Sequence, residues 1–415
     1  MSLMNQAAPT PPAQEPCLPA ALQASWASAG LRPLRLRGHT LLPIVQGGMG
    51  VGVSAQSLAG AVASAGGVGT ISSVDLRRLH PDLMARSAGP LDDPQTKARI
   101  EAANLEAIER EIRGARERAQ GRGLVAINVM RAVQAYVPSV QRALESGVDA
   151  VVVGAGLPLD LPELAQDHPR ALLLPILSDA RGVQLIVKKW ERKKRLPDAI
   201  VIEHPGLAGG HLGAARIADL GDGRFDFERV IPACLDFFRQ AGLEGQIPLI
   251  AAGGIRSHQD IRRLQALGAD AVQLGTPFAV TQECDAAPGF KQVLASARDE
   301  DMVEFTSVAG LPARAVRTPW LQAYLKVEER LQSVAQLKRR CTKAFDCLAQ
   351  CGLRDGLKDW GQFCIDHQLA AALRGDLGKG LFFRGKGALP FGDQVRGVLD
   401  LMRHLLTPGA GVAPA

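Results

Sequence analysis

The chain has 415 residues, 47% of them hydrophobic, with 44 Gly and 26 Pro, which is enough apolar material for a large core and points to many strand–loop–helix transitions rather than to long helices. A formal charge of +6 with only 4% aromatic residues argues against a nucleic-acid platform of basic and stacking side chains, and suits anionic small molecules better. No apolar run approaches the roughly 18 residues that span a bilayer, and seven cysteines without a basic-then-apolar leader read as reduced thiols of a soluble cytoplasmic protein.

Residues 1–31 are rich in Ala, Pro, Gln and Ser without a sustained period, which predicts a mobile arm. Leu41–Gln46 is the first apolar run, and the loop Gly47-Gly-Met-Gly-Val-Gly52 lets backbone pass close to a flat ligand. Ser54 is the expected N-cap of a small-residue helix, Ala55–Ala65, with a second strand at Gly67–Ser72. Before the third strand, Leu124–Asn128, lie about 50 residues, far more than an ordinary βα connection. They contain the charged helical stretch Pro94–Gln120 and predict an insertion, at about 75–123, over the strand ends.

Further runs follow at Ala150–Gly154, Ala171–Leu177 and Ala199–Glu203, each separated by helix-length segments. The basic run Lys188–Arg195 falls at a helix end, where cations favour the negative end of the dipole, and reads as a solvated face. Two last runs, Ile247–Ala252 and Ala269–Leu274, flank a helix-compatible segment. Both end in small residues, Gly253-Gly254 and Gly275-Thr276, where main-chain N–H groups can approach a phosphate and the following helix can offer its N-terminus. Regular βα alternation demands a parallel sheet. Eight units with a phosphate signal after the last two select an α/β fold of the (β/α)8, TIM-barrel type over residues 32–280.

Residues 281–415 predict a smaller, mostly helical region, with a loop at Gly310–Arg317, an amphipathic helix at Trp320–Arg340 and, in the remainder after it, four of the seven cysteines. The series Cys341, Cys347, Cys351, Cys364 matches no close-paired zinc spacing, so no metal is expected. After the sixth strand comes Glu203-His-Pro-Gly-Leu-Ala-Gly-Gly-His-Leu-Gly213, in which His211 is bracketed by glycines at the catalytic face of the barrel and can serve as acid or base near neutral pH.

The Ala208-Gly-Gly-His-Leu-Gly213 loop resembles the nitronate monooxygenase family, formerly called 2-nitropropane dioxygenases. So do the run Pro43-Ile-Val-Gln-Gly-Gly-Met49, Asn128 at a strand end, and the Ala251-Ala-Gly-Gly254 and Gln273-Leu-Gly-Thr276 pair. The likeness covers roughly residues 33–320 and extends to the flavin-dependent enoyl-acyl carrier protein reductases. It implies a barrel that binds FMN non-covalently, with a small domain over the strand ends. By resemblance, Gly48 and Met49 line the flavin, Asn128 bonds its ring or ribityl edge, and Gly209 and Gly210 pass beside it. Gly253, Gly254, Gly275 and Thr276 would hold the phosphate, Glu203, Ala252 and Leu274 would complete the cofactor site, and His211 would be the catalytic base or proton donor.

The implied reaction is oxidation of an alkyl nitronate with FMN and O2 to a carbonyl compound and nitrite. The rival readings are an FMN-containing enoyl or quinone reductase using NAD(P)H as reductant, and a non-redox barrel that binds a phosphorylated metabolite. The expected partners are a small-molecule substrate and O2, with no nucleic acid or membrane, and a homo-oligomer stays open. One departure stands out: His204 follows Glu203 where the related pattern has Gly.

Overall fold

Eight apolar runs close into a parallel barrel: β1 Ile44–Gln46, β2 Val68–Ser72, β3 Leu124–Asn128, β4 Ala150–Val153, β5 Leu172–Leu177, β6 Ile200–Glu203, β7 Leu249–Ala252 and β8 Ala271–Leu274, with β8 pairing back onto β1. The computed structural model describes residues 15–90, 92–335, 341 and 345–411. Alternate strand residues face opposite sides. Val45, Ala126, Val152, Leu174 and Val201 fill the interior, while Ile44, Ile127, Val151, Leu173 and Ile202 pack outward on the helices. Burial on both faces is why the strands read as continuous apolar runs and not as alternating ones.

An antiparallel hairpin, Leu34–Leu36 with His39–Leu41, adds Leu34, Leu36 and Leu41 to the interior cluster. Leu41 therefore belongs to the hairpin, and the first barrel strand starts only after Pro43. One device repeats three times. Asp149, Asp198 and Asp270, each just ahead of a strand, accept the N–H of Val125 (2.8 Å), Leu173 (2.7 Å) and Leu249 (2.9 Å) near the start of the preceding strand, which pins neighbouring strands in register.

Helix α1, Ala20–Ala29, corrects the expectation of a loose arm: Leu22 is fully buried, and Arg32 N–H donates to Gln265 Oε1 at 3.0 Å. Residues 1–14 lie outside the described residues. Helix α2, Gln56–Ser64, is not capped by Ser54. Its N-terminal amides instead meet the Asp285 carboxyl (Ala55 2.9 Å, Ser57 3.1 Å, Leu58 3.1 Å), whose pKa burial raises above the ordinary range, and Ser54 Oγ accepts from Met49 N–H at 2.8 Å. Helix α3, Pro94–Ala119, packs on α2, β3 and α4 (Tyr136–Glu145). It is thus a wall helix, and not an insertion over the strand ends. The basic run lies at the end of the helix Ala180–Glu191, where Arg195 pairs with Asp198 at 2.6 Å. Helices α5, Phe227–Gln240, and α6, His258–Leu267, complete the wall beside β7 and β8.

Beyond the barrel, the expected loop at 310–317 is a strand. β9, Met302–Thr306, and β10, Pro312–Val316, form an antiparallel sheet with the two-residue strand Gly210–His211. The expected long helix breaks into Pro319–Leu325 and Glu328–Ser333, and residues 336–340 lie outside the described residues. Phe305, Leu321, Tyr324, Phe363 and Leu381 form the core of this smaller region. Helix α7, Ile365–Leu373, lies over the strand ends, and α8, Val398–Leu406, returns to the wall, where Leu401, Met402 and Leu405 share the outer cluster with Leu22. Among the described residues no helix is long and apolar enough to cross a membrane.

Candidate functional site

The C-terminal ends of the strands open into a cavity of about 570 Å3 lined mainly by apolar groups, and every one of the thirteen residues singled out from the sequence faces it. After β1, Gly48 has no room for a Cβ because Asn128 Cβ occupies that space, so the first loop and the end of β3 are in van der Waals contact. The Asn128 side-chain amide makes no hydrogen bond to the described protein. Neither does that of Gln273, which lines the same wall beside Gly47.

The ends of β7 and β8 lie side by side, Ala252 opposite Gln273. Gly253 (φ 117°) and Gly254 (φ 72°) take left-handed conformations that other residues adopt only under strain. Among the described residues the N–H groups of Gly253, Gly254, Gly275 and Thr276 donate to no protein acceptor, so four main-chain donors beside one cavity are left without a partner. The N-terminus of α6 takes no part, contrary to expectation: a capping box of Ser257 and Asp260 satisfies it, with Arg256 and Ser257 N–H both 3.0 Å from Asp260 Oδ2. The donor set is mixed: Gly253 and Gly254 belong to a loop, whereas Gly275 and Thr276 are the N-cap and first residue of the short helix Thr276–Ala279. A Cβ on Gly275 would point into open space, with only Met49 Sδ near, at 3.8 Å.

A strap from the C-terminal region, residues 383–389, covers this cradle. Gly385 N–H donates to Thr276 Oγ1 at 3.0 Å, and Lys386 N–H to Leu207 O at 3.2 Å. Gly209 lies against the main chain of Arg384 and Gly385, with no space for a side chain. The strap's contribution is invisible to local sequence reasoning, although its Gly385-Lys-Gly387 spacing carries the same small-residue signal as the cradle itself.

His211 reaches the cavity because Gly210–His211 pairs with β10, Ala313 opposite His211. Its ring is 5.4 Å from that of Phe383, and Nε2 is buried without a hydrogen-bond partner. Burial pulls its pKa down to about 4, so the imidazole is neutral at physiological pH and holds a free lone pair or N–H inside the site. Glu203, at the end of β6, also faces the enclosed cavity, and burial pushes its carboxyl up to about 7. At neutral pH His211 thus stands uncharged and Glu203 only partly ionised, both facing a weakly polar space. Arg314, fully buried on β10, holds the loop between them: it pairs with Glu304 at 2.7 Å and donates to Ala208 O.

Leu348, Ile365, Asp366 and Leu369 roof the cavity, and the ion pair Arg78–Asp366 (2.6 Å) ties α7 to the loop after β2. Cys347 also reaches the cavity, and burial, reinforced by Asp366 and the thiols of Cys364, Cys351 and Cys341, holds its own thiol well above the usual range. Among the described residues no group of three or more His, Cys, Asp or Glu side chains could hold a metal ion.

A family model described as nitronate monooxygenase matches residues 36–388. A probable nitronate monooxygenase of Bacillus subtilis is 31% identical over 123 residues, 30% of this chain and 33% of the relative, and the nitronate monooxygenase of Pseudomonas aeruginosa is 27% identical over 175 residues, 38% of this chain and 47% of the relative. These alignments span less than half of either relative. In three dimensions the chain is similar to FabK from Thermotoga maritima (TM-score 0.59, 22% identity, 88% of this chain and 91% of that one) and to a nitroalkane oxidase from Streptomyces ansochromogenes (TM-score 0.58, 20% identity, 91% and 96%), likenesses that concern the fold.

Proposed function

Because the chain belongs to the nitronate monooxygenase family of flavin-dependent oxidoreductases, we propose that it holds FMN at the strand ends and oxidises alkyl nitronates with O2 to a carbonyl compound and nitrite. The observation that carries the cofactor is the set of four unpartnered amides at Gly253, Gly254, Gly275 and Thr276, which suits one phosphate group. The four amides form a single set at the ends of β7 and β8, which suits the one phosphate of FMN rather than the two of FAD. Gly48, Met49, Gly209 and Gly210 would flank the ring, Asn128 would bond its edge or the ribityl chain, and Glu203, Ala252 and Leu274 would complete the wall. Bound there, FMN supplies the two-electron chemistry and the reaction with O2.

The protein's own work is positional and acid–base. The largely apolar lining would limit water around the reacting centre, the cradle would orient the cofactor, and neutral His211 can accept an α-proton from a nitroalkane without first losing one of its own. Glu203 favours a second reading, since a carboxyl titrating near neutrality could deliver a proton to a substrate carbon, the step that an NAD(P)H-dependent enoyl or quinone reductase requires.

The test is anaerobic mixing with an alkyl nitronate, an enoyl thioester and NAD(P)H in turn, with mass analysis of the released cofactor. Bleaching by the nitronate and recovery of FMN are expected; bleaching by NAD(P)H alone moves the assignment to the reductase, and FAD overturns the single-phosphate cradle. Glu203→Gln gives a separate readout. The folded-state pKa lies above the ordinary 4.5, so the stability this carboxyl contributes is present below that value and is lost as pH rises through about 7. The variant should therefore melt later than the parent at pH 8, by on the order of 2 kcal/mol, and not at pH 5. Equal melting at both would mean that Glu203 is ionised in the fold.

A further inference from the structure

His204, which stands where the related pattern has glycine, makes four bonds that converge on the loop carrying His211. Its main-chain N–H donates to Ala252 O at 2.9 Å, just ahead of the cradle glycines, and its carbonyl accepts the N–H of Leu207 (3.1 Å) and Ala208 (3.0 Å). Its ring Nδ1 accepts the N–H of Gly206 at 3.1 Å. On the other side of the ring, Nε2 faces Asp226 Oδ1 at 3.6 Å, and the Phe227 ring stands edge-on at 5.4 Å. An accepting Nδ1 fixes the neutral tautomer, with the hydrogen on Nε2 toward Asp226. A second proton would have to sit on Nδ1, against the Gly206 N–H, so the turn and the proton compete for one lone pair.

We propose that His204 is a positioning residue for the flavin loop: its neutral ring fastens Gly206, thereby sets where Gly209, Gly210 and His211 meet the cofactor, and releases that turn when it is protonated. The consequence for the cofactor rests on the flavin reading above; the fastening itself does not. The charged groups acting on the ring are Asp226 and, more weakly, Glu228, both at the start of α5, while β7 presents the main chain of Gly253. Burial outweighs these carboxylates and holds the His204 pKa below its ordinary 6.5. The sign follows: for a base whose folded value is depressed, the fastening is complete above the unfolded value and is lost as pH falls through the lower, folded one.

The experiment compares the parent chain with His204→Asn and His204→Leu between about pH 5 and pH 8, in the range where a histidine titrates. It reads the exchange protection of the Gly206, Leu207 and Ala208 amides in the full chain, and the FMN dissociation constant by fluorescence. One net hydrogen bond corresponds to about a two- to twelvefold change, so the parent should lose that factor in both readouts on acidification. His204→Asn, whose Oδ1 can replace Nδ1 as acceptor but cannot titrate, should match the parent at pH 8 and stay flat below it; His204→Leu should be weaker throughout. Full protection in the leucine variant at pH 8, or parent-like pH dependence in the asparagine variant, would leave the ring as mere packing against Phe227. If the chain binds no FMN, the flavin reading falls alone, because amide protection still decides the role of His204.

Discussion

Gly275→Val should yield a folded protein that purifies without colour. Gly275 has φ −106° and ψ −76°, a backbone conformation open to other residues, and an added Cβ meets only Met49 Sδ at 3.8 Å. The fold thus accepts the side chain at a cost of about 1 kcal/mol or less. The same side chain would enter the cavity beside the unpartnered amides of Gly253, Gly254, Gly275 and Thr276 and, on the proposed flavin reading, displace the phosphate. Flavin occupancy, read from visible absorbance against protein, should fall at least about tenfold, the equivalent of 1.4 kcal/mol, with the melting temperature nearly unchanged. Gly253→Val is a poorer probe, because φ there is 117° and a substitution strains the chain whatever the ligand does. A yellow valine variant with stoichiometric flavin would move the cradle elsewhere.

His211→Asn separates two demands on a base. A preformed nitronate is already an anion and needs no proton removed, whereas a neutral nitroalkane must lose its α-proton before it can be oxidised. His211 holds its Nε2 unpartnered in the cavity and is uncharged above about pH 4, so it is in the base form throughout the working range. General-base assistance is typically worth about 10²- to 10⁴-fold. The variant should lose that factor in kcat/KM for a neutral nitroalkane and much less for the nitronate, at equal flavin content. Equal losses on both substrates would make His211 a positioning group, and no loss on either would take it out of the chemistry.

The barrel was legible because each strand is short, apolar on both faces and followed by small residues, so local pattern and tertiary environment agree. That Asn128, the two glycine pairs and the His211 loop meet at one cavity was legible for a related reason: in a parallel barrel the residues that follow successive strands gather at one end. What escaped depends on distant partners. Nothing local marks Gly210–His211 and Pro312–Val316 as strands, because each owes its extension to the other. Leu22 sits in a segment with no sustained period, and its burial comes from a docking site near the far end of the chain, beside Leu401 and Met402. Ser54 is a good cap by type, but the carboxyl of Asp285, some 230 residues away along the chain, accepts the amides at that helix end instead.

The strap over the cradle also fixes when in the life of the chain a cofactor can be retained. The barrel's last strand ends at Leu274, yet the cavity is closed by Gly385 and Lys386, more than a hundred positions later in synthesis. A nascent chain that has emerged only through β8 can hold a complete sheet and four exposed amides, but no cover above them. On the proposed flavin reading, cofactor capture would therefore be a late event, belonging to chains that have left the ribosome at least as far as the strap. A chain stalled or clipped between β8 and the strap lacks both the strap and helix α8 of the wall, and should not keep a flavin held at this cradle.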